Sequence, residues 1–244
     1  MTLRTRRAPG RPSAPTALGV APRLPSTCAC VGAAGASTSH AMDSSQYTRD
    51  TVRDLARREG RVSLASALVI VEGISDQVAL ETLAVRRGRD LVAEGISIVP
   101  IGGAQRIGRF LEPLIASGRE VGLAGLCDAG EESVFRRGLE RAGLGSGLTR
   151  ATMERLGFYV CVEDLEDELI RSLGAAAVEN VLEAHGHLGS FRTYQKQQAH
   201  QRKALEAQLR GFLGNYKARY GRFLVEALDL DRVPRPLDGV LAHL

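Results

Sequence analysis

The sequence contains no apolar run that approaches the roughly 20 residues a helix needs to cross a bilayer, which argues against a spanning segment and for a soluble protein. Cysteine is scarce. Cys28, Cys30, Cys127 and Cys161 include no CxxC pair, so neither a zinc site nor a disulfide scaffold is indicated. Cys127 and Cys161 are expected to be small buried hydrophobes in a reducing cytoplasm. There is no GxxxxGK[ST] loop to cradle phosphates, no GxSxG elbow, and no GxGxxG after a strand-like run, so P-loop, hydrolase and dinucleotide-binding readings all lack their anchor. The histidines, His40, His185, His187, His200 and His243, keep away from the acidic motifs described below and read as loop or surface residues rather than ligands.

Acid is missing altogether from residues 1–42, which carry Arg4, Arg6, Arg7, Arg11 and Arg23. The formal charge of +4 therefore comes from this tail, and the remainder is near neutral. The tail is rich in Pro, Ala, Ser and Thr without a sustained apolar period, and it cannot offset its ordering entropy by burial. It is expected to be disordered. A targeting peptide fits the Arg- and Ser-rich composition, but the prolines interrupt an amphipathic helix, so translation from Met42 is the preferred explanation.

What the sequence does contain is a chain of strand-length apolar runs, each followed by a helical pattern. Ala67-Leu68-Val69-Ile70-Val71 is a buried strand that stops at Glu72-Gly73. Ser75 is a good N-cap for the following helix, with Asp76 in its first turn, and Gly88 closes it. Further strands are expected at Ile96–Ile101, Val121–Cys127 and Phe158–Val162. Helices are expected around Ile107–Ile115, Glu131–Ala142 and Thr149–Leu156. Alternation of this kind specifies βαβ units, hence an α/β fold with a central, mostly parallel four-stranded sheet flanked by helices. Gly102-Gly103, after the second strand, either makes a turn or lets a backbone approach a ligand.

Three of the four strands run into acids: Glu72 and Asp76; Asp128, Glu131 and Glu132; Glu163, Asp164 and Glu166. In a parallel sheet these clusters emerge on one rim, where ligands of open α/β sheets collect. Carboxylates in such number repel one another unless a cation compensates them, and hard oxygen ligands suit Mg²⁺ or Mn²⁺. Taken singly, each acid is also explained as a helix cap, a first-turn acid or an exposed loop carboxylate.

The segment Val71-Glu72-Gly73-Ile74-Ser75-Asp76 resembles the first motif of TOPRIM domains of the OLD (overcoming lysogenization defect) nuclease type. Leu126-Cys127-Asp128-Ala129-Gly130-Glu131-Glu132 resembles the second motif, DxD, and Asp164-Leu165-Glu166 the acidic motif after the next strand. The resemblance covers roughly residues 66–172. It implies the compact TOPRIM fold, with Glu72 as metal ligand or general acid/base, Asp128 as principal metal ligand, and Asp76 and Glu166 as ligands of a second cation. The second aspartate of DxD is Gly130 here, and Glu132 or Glu131 is the substitute on offer. OLD-family proteins also carry an ATPase; with no phosphate-cradling loop in this sequence, that role is expected of a separate polypeptide. For the family's downstream lysine no motif marks a counterpart; the lysines in the sequence are Lys196, Lys203 and Lys217, of which Lys217 is chosen.

The expected organisation is a tail over 1–42, a leading helix at Asp43–Gly60 within a segment that runs to residue 65, an α/β domain over 66–173 and a helical basic region over 174–244. Within that last region, Arg192, Lys196, Lys203, Lys217, Arg219 and Arg222 are interleaved with Phe191, Tyr194, Phe212, Tyr216, Tyr220 and Phe223. Positive charge among aromatic rings suits backbone tracking and base stacking on nucleic acid, but equally a solvated face over an aromatic core. The function expected is a cytoplasmic, Mg²⁺- or Mn²⁺-dependent nuclease or related phosphoryl-transfer enzyme acting on nucleic acid, DNA ahead of RNA. Its alternative is a degenerate module that binds nucleic acid or a partner ATPase without cleavage.

Overall fold

The computed structural model describes residues 65–244, apart from the side chains of Lys217 and Ala218. The expected tail, the leading helix at Asp43–Gly60, and Cys28 and Cys30 lie outside the described residues. Four strands, β1 (Ala67–Val71), β2 (Ile96–Pro100), β3 (Gly122–Cys127) and β4 (Phe158–Val160), form one sheet in the order β2-β1-β3-β4. Every neighbouring pair is parallel. Leu68 to Val71 are fully buried, as expected of a central parallel strand covered on both faces.

The chain steps from β1 outward to β2, then crosses back over β1 to β3. Strand order therefore reverses between β1 and β3, the position at which open α/β sheets commonly bind ligands. Val71 pairs in register with Leu126, so Glu72 and Asp128, which follow the two strands, emerge within a residue of each other.

Alternate residues feed two cores. Ile70, Cys127, Phe158 and Val160 pack with α2 (Ile107–Ala116), α3 (Glu132–Arg141) and α4 (Arg150–Arg155) on one face. Val69, Val71, Ile98, Ala124 and Leu126 pack on the other with α1 (Ile74–Arg86) and with α5 (Leu165–Leu173). The helices beyond Gly174 close over this second face: α6 (Ala175–Ala184), α7 (Leu188–Gln195), α8 (Leu205–Leu213), α9 (Lys217–Ala227) and α10 (Arg235–Ala242). They share its core rather than standing off as an appendage.

Helix α9 lies along α1, and the two run parallel. Near their starts, a Cβ on Gly221 would come within 3.2 Å of the Ser75 carbonyl, so glycine lets the backbones pack closely and any side chain there must push them slightly apart. Near their ends, Arg86 donates to the carbonyls of Val225 (2.8 Å) and Leu228 (2.7 Å). Arg87 adds an ion pair with Asp238 of α10 at 2.6 Å.

Candidate functional site

The N-cap of α1 is Gly73, not Ser75. The correction has a local cause. Asp76, at the third helical position, reaches back so that its Oδ2 accepts the Gly73 N–H at 2.9 Å, the return half of a capping box. This starts the helix directly after Glu72. The positive end of its dipole then points at the rim, where it favours carboxylates and bound anions alike.

Glu72 is half-buried, and its Oε1 accepts the backbone N–H of Asp128 at 3.0 Å. This bond crosses from β1 to β3 at the reversal of strand order and fixes two acids, far apart in the chain, side by side. The Glu72 carbonyl accepts from both Gly102 (2.9 Å) and Gly103 (3.0 Å), so these two N–H groups serve the turn into the α2 segment rather than a ligand.

Asp128 precedes the short 3-10 turn Ala129–Glu131, which leads into α3, and its backbone carbonyl accepts the Glu131 N–H at 3.0 Å. Glu132, the first residue of α3, is held by Arg150, whose Nε and Nη2 both donate to Oε2 (3.1 and 2.6 Å). Beyond β4, Asp164 caps α5: Oδ1 accepts the Asp167 N–H at 2.9 Å, and Oδ2 accepts from Arg210 Nε at 2.8 Å. Glu166 follows in the first turn and is 2 % exposed. Its neighbour Glu168, 4 % exposed, accepts the Val162 N–H at 2.7 Å and pairs with Arg171 at 2.8 Å.

Two buried thiols register how these acids converge. Burial pushes the Cys127 thiol far up, and Glu72, Asp128 and Glu132 push it further, against Arg150. The Cys161 thiol is raised in the same way, by burial first and then by Asp128, Glu168 and Asp76. Asp128 thus acts on both faces of the sheet end. The two cysteines, both buried and free, are the inert small hydrophobes expected.

Of the expected metal set, Glu72 and Asp128 are brought together directly. Asp76 and Glu132 stand on flanking helix starts and engage Gly73 and Arg150, and Glu166 is folded into the start of α5. Among the described residues, no three His, Cys, Asp or Glu side chains are gathered closely enough to hold a metal ion by themselves.

The basic C-terminal set is placed differently from a stacking platform. Arg192 is paired with Glu179 of α6 (2.9 and 2.7 Å), and Arg222 with Glu226 (2.7 Å). Lys196, Lys203 and Arg219 are exposed, and Lys217 opens α9. Phe191, Phe212 and Tyr220 are buried in contact with one another's neighbours Tyr194, Tyr216 and Phe223; only Tyr216, at 40 % exposed, reaches solvent as a large ring. His187 Nδ1 meets the Tyr220 hydroxyl at 2.5 Å, and the His185 ring stacks on Phe223. The rings are an aromatic core under a charged surface.

A four-stranded parallel sheet with acids massed at the strand ends next to a strand-order reversal is an α/β architecture that agrees with the fold the motifs implied. Residues 64–125 match the family model described as "Overcoming lysogenization defect protein-like, TOPRIM domain". The match stops at Gly125, short of Asp128. Two similar solved structures are C-terminal regions of OLD proteins. That of Xanthomonas campestris pv. campestris is 19 % identical with a TM-score of 0.56, covering 75 % of this chain and 93 % of its own. That of Burkholderia pseudomallei is 17 % identical with a TM-score of 0.57, covering 73 % and 96 %. Curated proteins offer no match. Residues 64–125 are thus similar to an OLD-like TOPRIM domain, and the fold is that of the OLD C-terminal regions; domains of this type are typically metal-dependent modules that act on nucleic acid. Among the described residues no helix is long and apolar enough to cross a membrane.

Proposed function

We propose that the protein is a Mg²⁺-dependent nuclease or related phosphoryl-transfer enzyme acting on nucleic-acid phosphodiesters, with Glu72 and Asp128 at its centre. The observation that carries this reading is the bond from the Asp128 N–H to the Glu72 carboxylate at the strand-order reversal. The OLD-like TOPRIM match supports it. In this reading residues 66–173 form the catalytic unit and 174–244 brace it.

The residues present fit a divalent ion of the Mg²⁺ type. The donors are all carboxylate oxygens, and Mg²⁺ is commonly held by one or two carboxylates together with waters and substrate phosphates, so the absence of a closed protein cage is no obstacle. Glu72 and Asp128 would hold it, with Asp76, Glu132 and Glu166 as reserve ligands. When bound, such an ion supplies charge compensation for the phosphodiester and lowers the pKa of a water nucleophile. The chain's own contribution is orientation. The Asp128 N–H holds one Glu72 oxygen, and the Gly73 N–H holds Asp76. The start of α1 presents its dipole to the anionic substrate. Exposed ion pairs are worth about 0–1 kcal/mol, so Arg150 can yield Glu132 to a stronger cation. Because α9 runs parallel to α1 and Gly221 sits on Ser75, Lys217, one turn earlier, starts α9 at the same end as the rim. That position supports its choice as the downstream lysine.

The test is a metal-dependent nicking assay on plasmid and oligonucleotide substrates. Cleavage that survives in both Glu72→Gln and Asp128→Asn would overturn the assignment. A second reading, a module that binds nucleic acid or a partner ATPase without cutting, is favoured by Gly130 and by the Glu132–Arg150 pair. Calorimetric titration with Mg²⁺ separates the two, since the binding module need not take up the ion, and copurification tests the ATPase.

A further inference from the structure

Beside the rim, edge strand β4 opens a cleft of about 490 Å³ between α4, α5 and the segment entering α10. Its floor includes Tyr159, Val160 and Val162. Its walls carry four guanidinium groups, Arg150, Arg171, Arg232 and Arg235, against two carboxylates, Glu154 and Glu168. Those carboxylates are matched inside the cleft, Glu154 by Arg235 at 2.5 Å and Glu168 by Arg171 at 2.8 Å. Arg232 forms no ion pair among the described residues, and the Ser172 hydroxyl fixes its backbone by donating to its carbonyl. Arg150 belongs to both places: it lines the cleft and clasps Glu132 at the rim. Among its lining residues guanidinium groups outnumber carboxylates; Glu132 and Asp167, outside the cleft, pair with Arg150 and Arg171, so Arg232 supplies the charge in excess, and Arg150 links the cleft to the rim. On the C-terminal helices, where sequence placed the nucleic-acid contacts, Arg192 and Arg222 are tied to Glu179 and Glu226 and the rings are largely turned inward, while Lys196, Lys203 and Arg219 are exposed and form the rival surface that the experiment below tests.

We propose that this cleft holds the phosphodiester backbone of a nucleic-acid strand alongside the acidic rim, with Arg232 as the first phosphate contact, Arg235 as the second once a phosphate displaces its largely exposed pairing with Glu154, and Arg150 as the link to the cleavage position. The proposal rests on the rim being a nucleic-acid site. Guanidinium groups match phosphate oxygens in paired geometry, and both proposed contacts are exposed and able to reach a strand. Each phosphate neutralised releases counterions, which gives the cleft a measurable signature in salt.

The experiment uses the full chain in EDTA with a fluorescein-labelled single-stranded oligonucleotide, its affinity measured by anisotropy across a salt series. The Arg232→Gln/Arg235→Gln double variant, checked for an unchanged melting curve, should bind about tenfold more weakly at low salt. Its log–log salt slope should be shallower by about 1.4, the loss of two phosphate contacts on a single strand. An unchanged affinity and slope overturns the proposal, as does a loss that follows Lys196→Gln/Lys203→Gln instead. Inorganic phosphate forms the second arm: a protein that binds it at Arg232 and Arg235 but ignores the oligonucleotide also overturns the strand assignment. Omitting metal separates this result from catalysis. Cleavage that is lost in Asp128→Asn yet indifferent to the arginines would sink the cleft alone, whereas arginine-dependent binding without any metal-dependent cleavage would uphold the cleft and sink the catalytic reading.

Discussion

Glu72 accepts the backbone N–H of Asp128, 56 positions further along, at 3.0 Å. This makes the glutamate a structural brace as well as a candidate ligand, and two substitutions separate the roles. Glu72→Gln keeps a carbonyl oxygen for the Asp128 N–H and should melt close to the parent. Glu72→Ala leaves that part-buried donor to water or to nothing and should cost about 1–3 kcal/mol. Both should lower metal-dependent cleavage by roughly 10²-fold or more. Equal melting curves for the two variants would show that the bond does not brace the rim.

The gap in the second acidic motif can be filled. A Cβ on Gly130 meets no atom within 4 Å, and its backbone is outside the left-handed region, so Gly130→Asp should fold without strain. It restores the carboxylate that the DxD pattern supplies. Calorimetry should show tighter Mg²⁺ binding, by about tenfold for one added charged ligand. Unaltered affinity would mean that this turn does not face the ion.

The four strands and the helices from α1 to α4 were legible to within a residue or two, because buried parallel strands are apolar throughout and their helices carry one apolar face. Helix α5 was not. Its core positions Leu165, Leu169 and Ile170 are embedded in Glu163, Asp164, Glu166, Asp167 and Glu168, and the acids dominated the reading. Helix α7 was hidden by length and polarity; it is anchored chiefly by Phe191, which the other helices bury. The rings at 212, 216, 220 and 223 recur at helical spacing, the mark of a core stripe, so the burial of Phe212 and Tyr220 was available from the sequence. The arginine partners were not. Glu179, Asp164 and Glu132 lie outside the local windows of Arg192, Arg210 and Arg150, and only the fold brings them near. The same is true of the cleft beside β4, whose arginines come from three separate stretches.

Gly221 controls how α9 sits on the start of α1. Alanine there gains helix propensity of up to about 1 kcal/mol, but its methyl must come within 3.2 Å of the Ser75 carbonyl, so the two effects should largely cancel. Gly221→Val has no such balance. It should destabilise by about 1–3 kcal/mol and, by displacing the turn that holds Asp76, weaken Mg²⁺ binding as well. Chemical denaturation together with calorimetry on the same variant checks both; a loss of stability with full metal affinity would show that α9 does not position the rim.

Cys161 gives the fold a dependence on alkaline pH. The thiol is fully buried at the end of β4, and burial, with Asp128, Glu168 and Asp76 behind it, raises its pKa well above the ordinary thiol value of about 8.5. Below that pH both the folded and the unfolded chain hold the proton, so the stability is complete. Above it the unfolded chain releases the proton while the folded chain keeps it, and the folded state comes to bind more protons than the unfolded one. Stability must then fall as pH rises, by up to about 1.4 kcal/mol per pH unit for this one thiol. Other groups titrate in the same window, so the measurement is a difference: urea denaturation of the parent and of Cys161→Ala in metal-free buffer from about pH 7.5 upward. The alanine variant starts less stable because it opens a small void, and its curve should decline less steeply until the two converge or cross. Parallel curves would mean that the thiol ionises in the folded protein as readily as in the unfolded one, and that the sheet end is wetter and less acidic than its burial and its carboxylates make it.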